Sequence, residues 1–190
     1  MTCTMGIDFS LTATGMVVLH DKEVFASECY RPKGYVGGER LFLIASWAVD
    51  QIVAHRPDKV CVESPFAAPS PAVLAVCLQL AELHGTVKAL FWRNDIPRPW
   101  YVAPTTLKKY ATGSGKGQKS DVKMAILKNW GHEFKDDNVA DAYVLARIAG
   151  AMHGGLLTER EHERECLKSI RKSPSNELRV KGPKGLILQP

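Results

Sequence analysis

Met5-Gly6-Ile7-Asp8-Phe9-Ser10-Leu11-Thr12-Ala13-Thr14-Gly15-Met16-Val17-Val18-Leu19, residues 5–19, reads as two apolar strands joined by a short polar turn. The strands extend to residues 3–9 and 14–20 with the turn at 10–13, and residues 23–29 form a third strand, so the chain opens as an antiparallel meander. Pro32 and three glycines in residues 31–38 break it. Leu41, Ile44, Ala45, Ala48, Ile52 and Val53 then recur at helical spacing up to about His55, where Arg56-Pro57-Asp58 ends the helix before a strand over 59–63. The pattern has changed from hairpins to β-α-β. After a Pro-rich loop at 64–71 comes an apolar helix from 72 to about 92, then a short strand at 100–103 and a short helix at 105–110. A Gly and Ser loop spans 111–117, and helices follow at 120–130 and 137–151. Parallel strands need crossover helices, so this order predicts an α/β fold: a five-stranded mixed sheet, three antiparallel strands then two parallel, with helices on both faces.

The 190 residues suit one core plus an appendage. From His153 onward the character changes: residues 159–172 are densely charged, and 173–190 hold three prolines and two glycines. The expected division is a folded unit over 1–153 and, over 154–190, a charged helical extension with a flexible basic tail. Apolar residues at 45% and charged residues at 24% exclude a disordered chain. The net charge of +5 is a modest excess, but residues 105–128 hold six lysines (Lys108, Lys109, Lys116, Lys119, Lys123, Lys128) against one acid, Asp121, a segment that attracts phosphate. The five cysteines lack CxxC pairing and read as reduced residues of a cytoplasmic protein. No apolar stretch is expected to reach the roughly 20 residues that span a bilayer, and no signal core follows Met1.

Asp8 ends a strand that is central in such a sheet, and Asp is disfavoured within strands. Glu63 ends the strand Lys59-Val60-Cys61-Val62, and if the two strands are neighbours their carboxylates converge at one edge. Asp136, Asp137 and Asp141 open the last core helix, where residues three and four apart share a face. Taken singly, Asp8 is equally a turn former, Glu63 an exposed strand end, and Asp136 and Asp137 acids favoured by a helix N-terminus. Together they form an all-oxygen donor set suited to Mg²⁺ or Mn²⁺. Such a constellation fits two-metal phosphodiester hydrolysis, one ion activating water and the other stabilising the leaving oxygen. The six histidines show no HxH or HxxxH spacing.

Over residues 3–153 the chain resembles the RuvC-type Holliday junction resolvases of the RNase H-like superfamily. Gly6-Ile7-Asp8-Phe9-Ser10 to Thr14-Gly15 resembles the first motif, and Val62-Glu63-Ser64-Pro65-Phe66 the second. Residues 104–122, with Lys108, Thr112-Gly113-Ser114-Gly115 and Lys119, resemble the basic Gly-loop stretch, and residues 138–143 the final helix. The resemblance implies a homodimeric endodeoxyribonuclease that cuts opposed strands of a four-way junction, with two Mg²⁺ ions (Mn²⁺ substituting), leaving 5′-phosphate and 3′-hydroxyl ends. It implies metal ligation by Asp8, Glu63 and Asp141, a base stacked on Phe66, Lys119 at the scissile phosphate, and backbone contacts from Lys108, Lys116 and Lys123. The family usually has Asp or His three residues before its last catalytic Asp, where this chain has Asn138. Asp137 is expected as the fourth ligand, with Asn138 as the alternative. A helicase partner is left unidentified. The competing readings are an RNase H-like nuclease of other branched DNA or RNA, a DNA-binding protein without catalysis, and an actin-like ATPase or sugar kinase, which needs a duplicated domain that 190 residues do not hold.

Overall fold

Alternation along a strand sends successive side chains to opposite faces, and in the first strand the two faces meet different cores. The computed structural model describes residues 1–65, 71–154 and 160–177. In β1 (Cys3–Asp8), Met5 and Ile7 belong to one buried cluster, while Gly6 abuts a helix backbone on the other side and Thr4 donates a 3.1 Å hydrogen bond to the carbonyl of Ala146 there. β2 (Thr14–His20) and β3 (Glu23–Tyr30) complete the antiparallel meander, and β4 (Lys59–Glu63) and β5 (Trp100–Val102) add parallel strands on the other side of β1. The order is β3-β2-β1-β4-β5, the five-stranded mixed sheet that the sequence predicts.

One face carries α1 (Gly37–His55) and α2 (Pro71–Arg93); the other carries α3 (Pro104–Thr112), α4 (Lys119–Trp130), α5 (Asp137–His153) and α6 (Glu161–Lys172), with α7 (Pro174–Glu177) beside β5. α1 starts four residues before the apolar periodicity that reveals it, because its first turn, Gly37, Gly38 and Glu39, is exposed and carries no packing signal. It ends where Arg56 adopts a left-handed conformation, its N–H bonded to Ile52 O at 2.8 Å, and Pro57 bars continuation.

α2 corrects one expectation. Residues Val73–Arg93 are long and apolar enough, by length and composition, to cross a membrane. Glu82 and Lys88 interrupt the run, and Cys77, Leu83, Val87 and Phe91 are buried along one stripe that packs toward α1. Leu74, Val76, Leu78 and Trp92 remain exposed. All five cysteines are free; Cys61, Cys77 and Cys166 are buried and Cys3 and Cys29 half-buried.

Past residue 153, α6 buries Glu163, Cys166, Leu167 and Ile170 at helical spacing against α3, within the same core as α5. Asn176 in α7 bonds the backbone of Tyr101 twice, accepting from its N–H at 3.0 Å and donating to its carbonyl at 2.9 Å, and so satisfies the edge of β5. The flexible tail expected from residue 173 instead begins with the helix Pro174–Glu177, and residues 178–190 lie outside the described residues.

α5 is buried on nearly every side and lies against β1 and β2 at van der Waals closeness. A Cβ on Gly6 would stand 2.0 Å from Ala142 O and 2.4 Å from Ala146 N; one on Gly15 would stand 2.2 Å from Asn138 O. These are backbone atoms, so no rotamer change relieves them. Gly6→Ala and Gly15→Ala are each expected to lower stability by about 2–3 kcal/mol or more through overpacking, read as a fall in the urea midpoint. Wild-type midpoints would refute the close approach.

Candidate metal centre and nucleic-acid interface

Parity along the strands decides which carboxylates meet. In β1, Thr4 and Gly6 face α5, so Asp8 faces it too. In β4, Cys61 belongs to the α5-side core and Val60 and Val62 to the other, which puts Glu63 on the same face. The parallel register pairs Gly6 with Cys61 and Ile7 with Val62, so Asp8 and Glu63 occupy adjoining positions at the carboxyl edge of the sheet. α5 supplies the third group. Its stripe at Asn138, Ala142, Leu145 and Ala146 lies on Gly15 and Gly6, and Asp141, one turn before Leu145, shares that side.

Burial and like charge then act together. Asp8 is 6% exposed, and its carboxyl is held well above the usual range, first by burial and then by the charges of Glu63 and Asp141. Burial, reinforced by Asp141, pushes Glu63 up to about 7, although a hydrogen bond with Asp8 and the charges of Lys108 and Lys119 pull the other way. Asp141 rises to about 6 through burial, with Asp137 adding to the rise and Lys119 and Lys108 opposing it. Three carboxyls that resist ionising side by side, with Asp8 and Glu63 hydrogen-bonded to each other, are a site with a deficit of positive charge. Among the described residues no group of three or more His, Cys, Asp or Glu stands as a ready-made cage for an ion. The donor chemistry nevertheless fits a hard divalent cation: only oxygen donors, Asp8 buried and Glu63 and Asp141 half-buried, and electrostatically unsatisfied without one.

The remaining expected residues divide into several groups. Lys119 opens α4 and Lys123 follows one turn later; Asp137 pairs with Lys123 at 2.8 Å through Oδ1 and with Lys119 at 3.9 Å through Oδ2. Lys108, half-buried on α3, acts on Glu63 and Asp141, whereas Lys116 is exposed in the loop before α4. The backbone N–H and the side-chain amide of Asn138 both donate to Asp136 Oδ1, at 2.9 and 3.1 Å. Phe66 lies outside the described residues. A feature that sequence reasoning missed is Arg31, whose guanidinium pairs with Asp136, the N-cap of α5. Burial works against ionisation of Asp136, but Arg31 and the N–H groups of Val139 and Asn138 outweigh it and hold its carboxyl below the usual range. No local pattern announces a contact across 105 residues of sequence. A polar cavity lined by Tyr110, Trp130, Arg147 and Arg160 also reaches Lys22 and Glu23, at the opposite end of the β2–β3 hairpin from Thr14 and hence from the carboxylate edge.

The family model of crossover junction endodeoxyribonuclease RuvC matches residues 4–149. Proteins of that name from Rhizobium etli and Oleidesulfovibrio alaskensis are each 28% identical to the chain, the first over 80% of the chain and 90% of its own length, the second over 70% and 83%. Among solved structures, Thermus thermophilus RuvC in complex with a Holliday junction substrate superposes with a TM-score of 0.66 at 20% identity, covering 82% of this chain and 98% of that one. The yeast mitochondrial Holliday junction resolvase Ydc2 superposes at 0.53 and 10% identity, covering 88% and 82%. Both likenesses show the RNase H-like fold.

The raised carboxyls carry a stability consequence. Their folded-state values lie above their ordinary ones, 4.5 against about 7 for Glu63 and 3.8 against about 6 for Asp141. Their contribution is therefore complete below about pH 4 and is lost as the pH rises through about 6 to 7. Metal-free protein is expected to melt higher at about pH 5 than at about pH 8, with added Mg²⁺ restoring more at the higher pH. Asp8→Asn, which removes one of the repelling charges, is expected to raise metal-free stability near neutral pH by about 1–3 kcal/mol. Thermal melts in chelator across that range check both, and a destabilised Asp8→Asn variant would count against the electrostatic account.

Proposed function

The chain belongs to the RuvC family of crossover junction endodeoxyribonucleases, and from that premise we propose that it resolves four-way DNA junctions by hydrolysing a phosphodiester in each of two opposed strands. Nucleases of this family are metal-dependent. The observation that carries the reading is the mutually repelling set of buried Asp8 and half-buried Glu63 and Asp141 at one sheet edge, within the field of Lys108 and Lys119. Asp8, Glu63 and Asp141 are the residues that would hold Mg²⁺, with Mn²⁺ as its substitute. When bound, divalent ions supply activation of water and neutralisation of charge at phosphorus.

The protein's own groups do the rest. Asp8 and Glu63, fixed at neighbouring strand ends, are held to face the same phosphate. Lys119 stabilises charge that develops on the phosphoryl oxygens, while Lys108, Lys116 and Lys123 contact the backbone and fix the register of the DNA. The homodimer is part of the same proposal. The side of α2 bearing Leu74, Leu78 and, further along, Trp92 is exposed, and a second copy of the chain covers it under two-fold symmetry, giving one carboxylate edge for each opposed strand. The action belongs in the cytoplasm, where bacterial DNA is found; the relatives named above are bacterial.

The reading predicts paired symmetric nicks, with 5′-phosphate and 3′-hydroxyl ends, in a labelled synthetic four-way junction supplied with Mg²⁺ or Mn²⁺, and little cutting of a linear duplex or a flap of the same sequence. Asp8→Asn is expected to reduce cleavage at least about a hundredfold while leaving junction binding intact, since it removes no basic group. Metal-dependent cutting of the flap in preference to the junction would move the substrate to other branched DNA. Tight binding without cutting would assign the chain to the architectural class.

A further inference from the structure

Lys119 and Lys123 stand where helix physics disfavours them. They occupy the first and second turns of α4, four residues apart on one face, so they repel each other, and both lie near the helix end whose partial charge is positive. A counter-charge has to be supplied from elsewhere in the fold, and Asp137 supplies it. Its Oδ1 lies 2.8 Å from Lys123 Nζ and its Oδ2 3.9 Å from Lys119 Nζ, so both oxygens are engaged by lysines. Lys123 is steadied from a second side by the Lys135 carbonyl, to which it donates at 3.4 Å. On α5 the stripe through Asn138, Ala142 and Leu145 lies on the sheet, whereas Asp137 sits at the flank that meets α4. Lys119 in turn acts electrostatically on Asp8, Glu63 and Asp141.

We propose that Asp137 is a positioning residue and not a metal ligand: it holds the ammonium groups of Lys119 and Lys123 at the rim of the Asp8–Glu63–Asp141 edge until a DNA phosphate takes its place. The exchange replaces one carboxylate with one phosphodiester, each singly negative, so the two lysines keep a counter-ion throughout. The groups are 38%, 61% and 35% exposed at Asp137, Lys119 and Lys123, and ion pairs that open to water are weak enough to be given up. The assignment rests on the nuclease reading of the neighbouring carboxylates, but not on which branched DNA is cut.

Two measurements on the full-length protein test it. Mn²⁺ titration of DNA-free protein, followed by the electron paramagnetic resonance of the free ion, is expected to give Asp137→Asn an affinity within about twofold of wild type, while Asp141→Asn loses at least about tenfold. In cleavage of whichever branched DNA the wild type cuts, Asp137→Asn is expected to lower kcat about ten- to a hundredfold without raising KM, because it frees the lysines without removing them. Asp137→Glu, which keeps the counter-charge, restores most of kcat. Loss of Mn²⁺ affinity in Asp137→Asn equal to that in Asp141→Asn would make Asp137 a ligand, and an unchanged kcat would make it an ordinary surface ion pair; either overturns the proposal. The Mn²⁺ titration involves no DNA, so an error about the substrate leaves it readable.

Discussion

The functional edge depends on how near α5 lies to the sheet. Gly6 and Gly15 leave no room for even a methyl group between strand and helix, and Thr4 adds a hydrogen bond from β1 to the carbonyl of Ala146. The contacts are spaced along the helix, at Asn138, at Ala142 and at Ala146, so α5 can neither slide nor rotate without a backbone clash. The small residues Ala142, Ala146 and Ala149 make that approach feasible on the helix side. Asp141 is thereby fixed relative to Asp8 by main-chain packing, not by the reach of flexible side chains, which is the rigidity a reactive constellation needs.

The same packing creates an electrostatic problem that the fold leaves unsolved at one place and solves at another. Asp8 and Asp136 are the same residue type close to the same helix, yet their carboxyls shift in opposite directions. Asp136 caps α5 and meets Arg31 and two backbone N–H groups, so its charge is stabilised and its role is structural. Asp8 is buried and meets the half-buried Glu63 and Asp141, so its charge is destabilised. A protein selected for stability alone would not keep the second arrangement. Environment, not residue identity, separates the acid that serves the fold from the acids available for chemistry.

Most of this architecture was legible in the sequence because period-2 and period-3.6 patterns survive in the buried elements. The strands at 14–20 and 59–63 begin and end where alternation and turn residues say, and strand parity with the β-α-β order was enough to bring Asp8 and Glu63 to one edge. Three things were not legible, each for a physical reason. The role of Gly6 and Gly15 requires knowing which helix lies over them, a contact across more than 120 residues. The Arg31 to Asp136 pair leaves no local signature, since arginine in a loop reads as surface. The direction of Asp137 was ambiguous because the four-residue spacing to Asp141 permits a shared face but does not say which neighbour each side chain meets; the lysines of α4 decide it. The apolar run of α2 was underread for the opposite reason, since isolated charges at Glu82 and Lys88 mask a continuous hydrophobic helix.

The division of charge between elements explains why the part of the chain beyond the matched residues is not dispensable decoration. Carboxylates come from β1, β4 and α5, and cations from α3 and α4, so neither element has to hold opposed charges that would neutralise each other in place. α3 is short, nine residues, and needs support on its outer side. α6 gives that support, burying Cys166, Leu167 and Ile170 against it, and Glu165 pairs with Lys109 at 2.8 Å. The adjacent lysines of α3 therefore serve different ends: Lys109 is tied to α6, while Lys108 is left to act on Glu63 and Asp141. The change in sequence character at residue 153 marks where surface charge rises, and the core continues through it into the helix that braces the basic face.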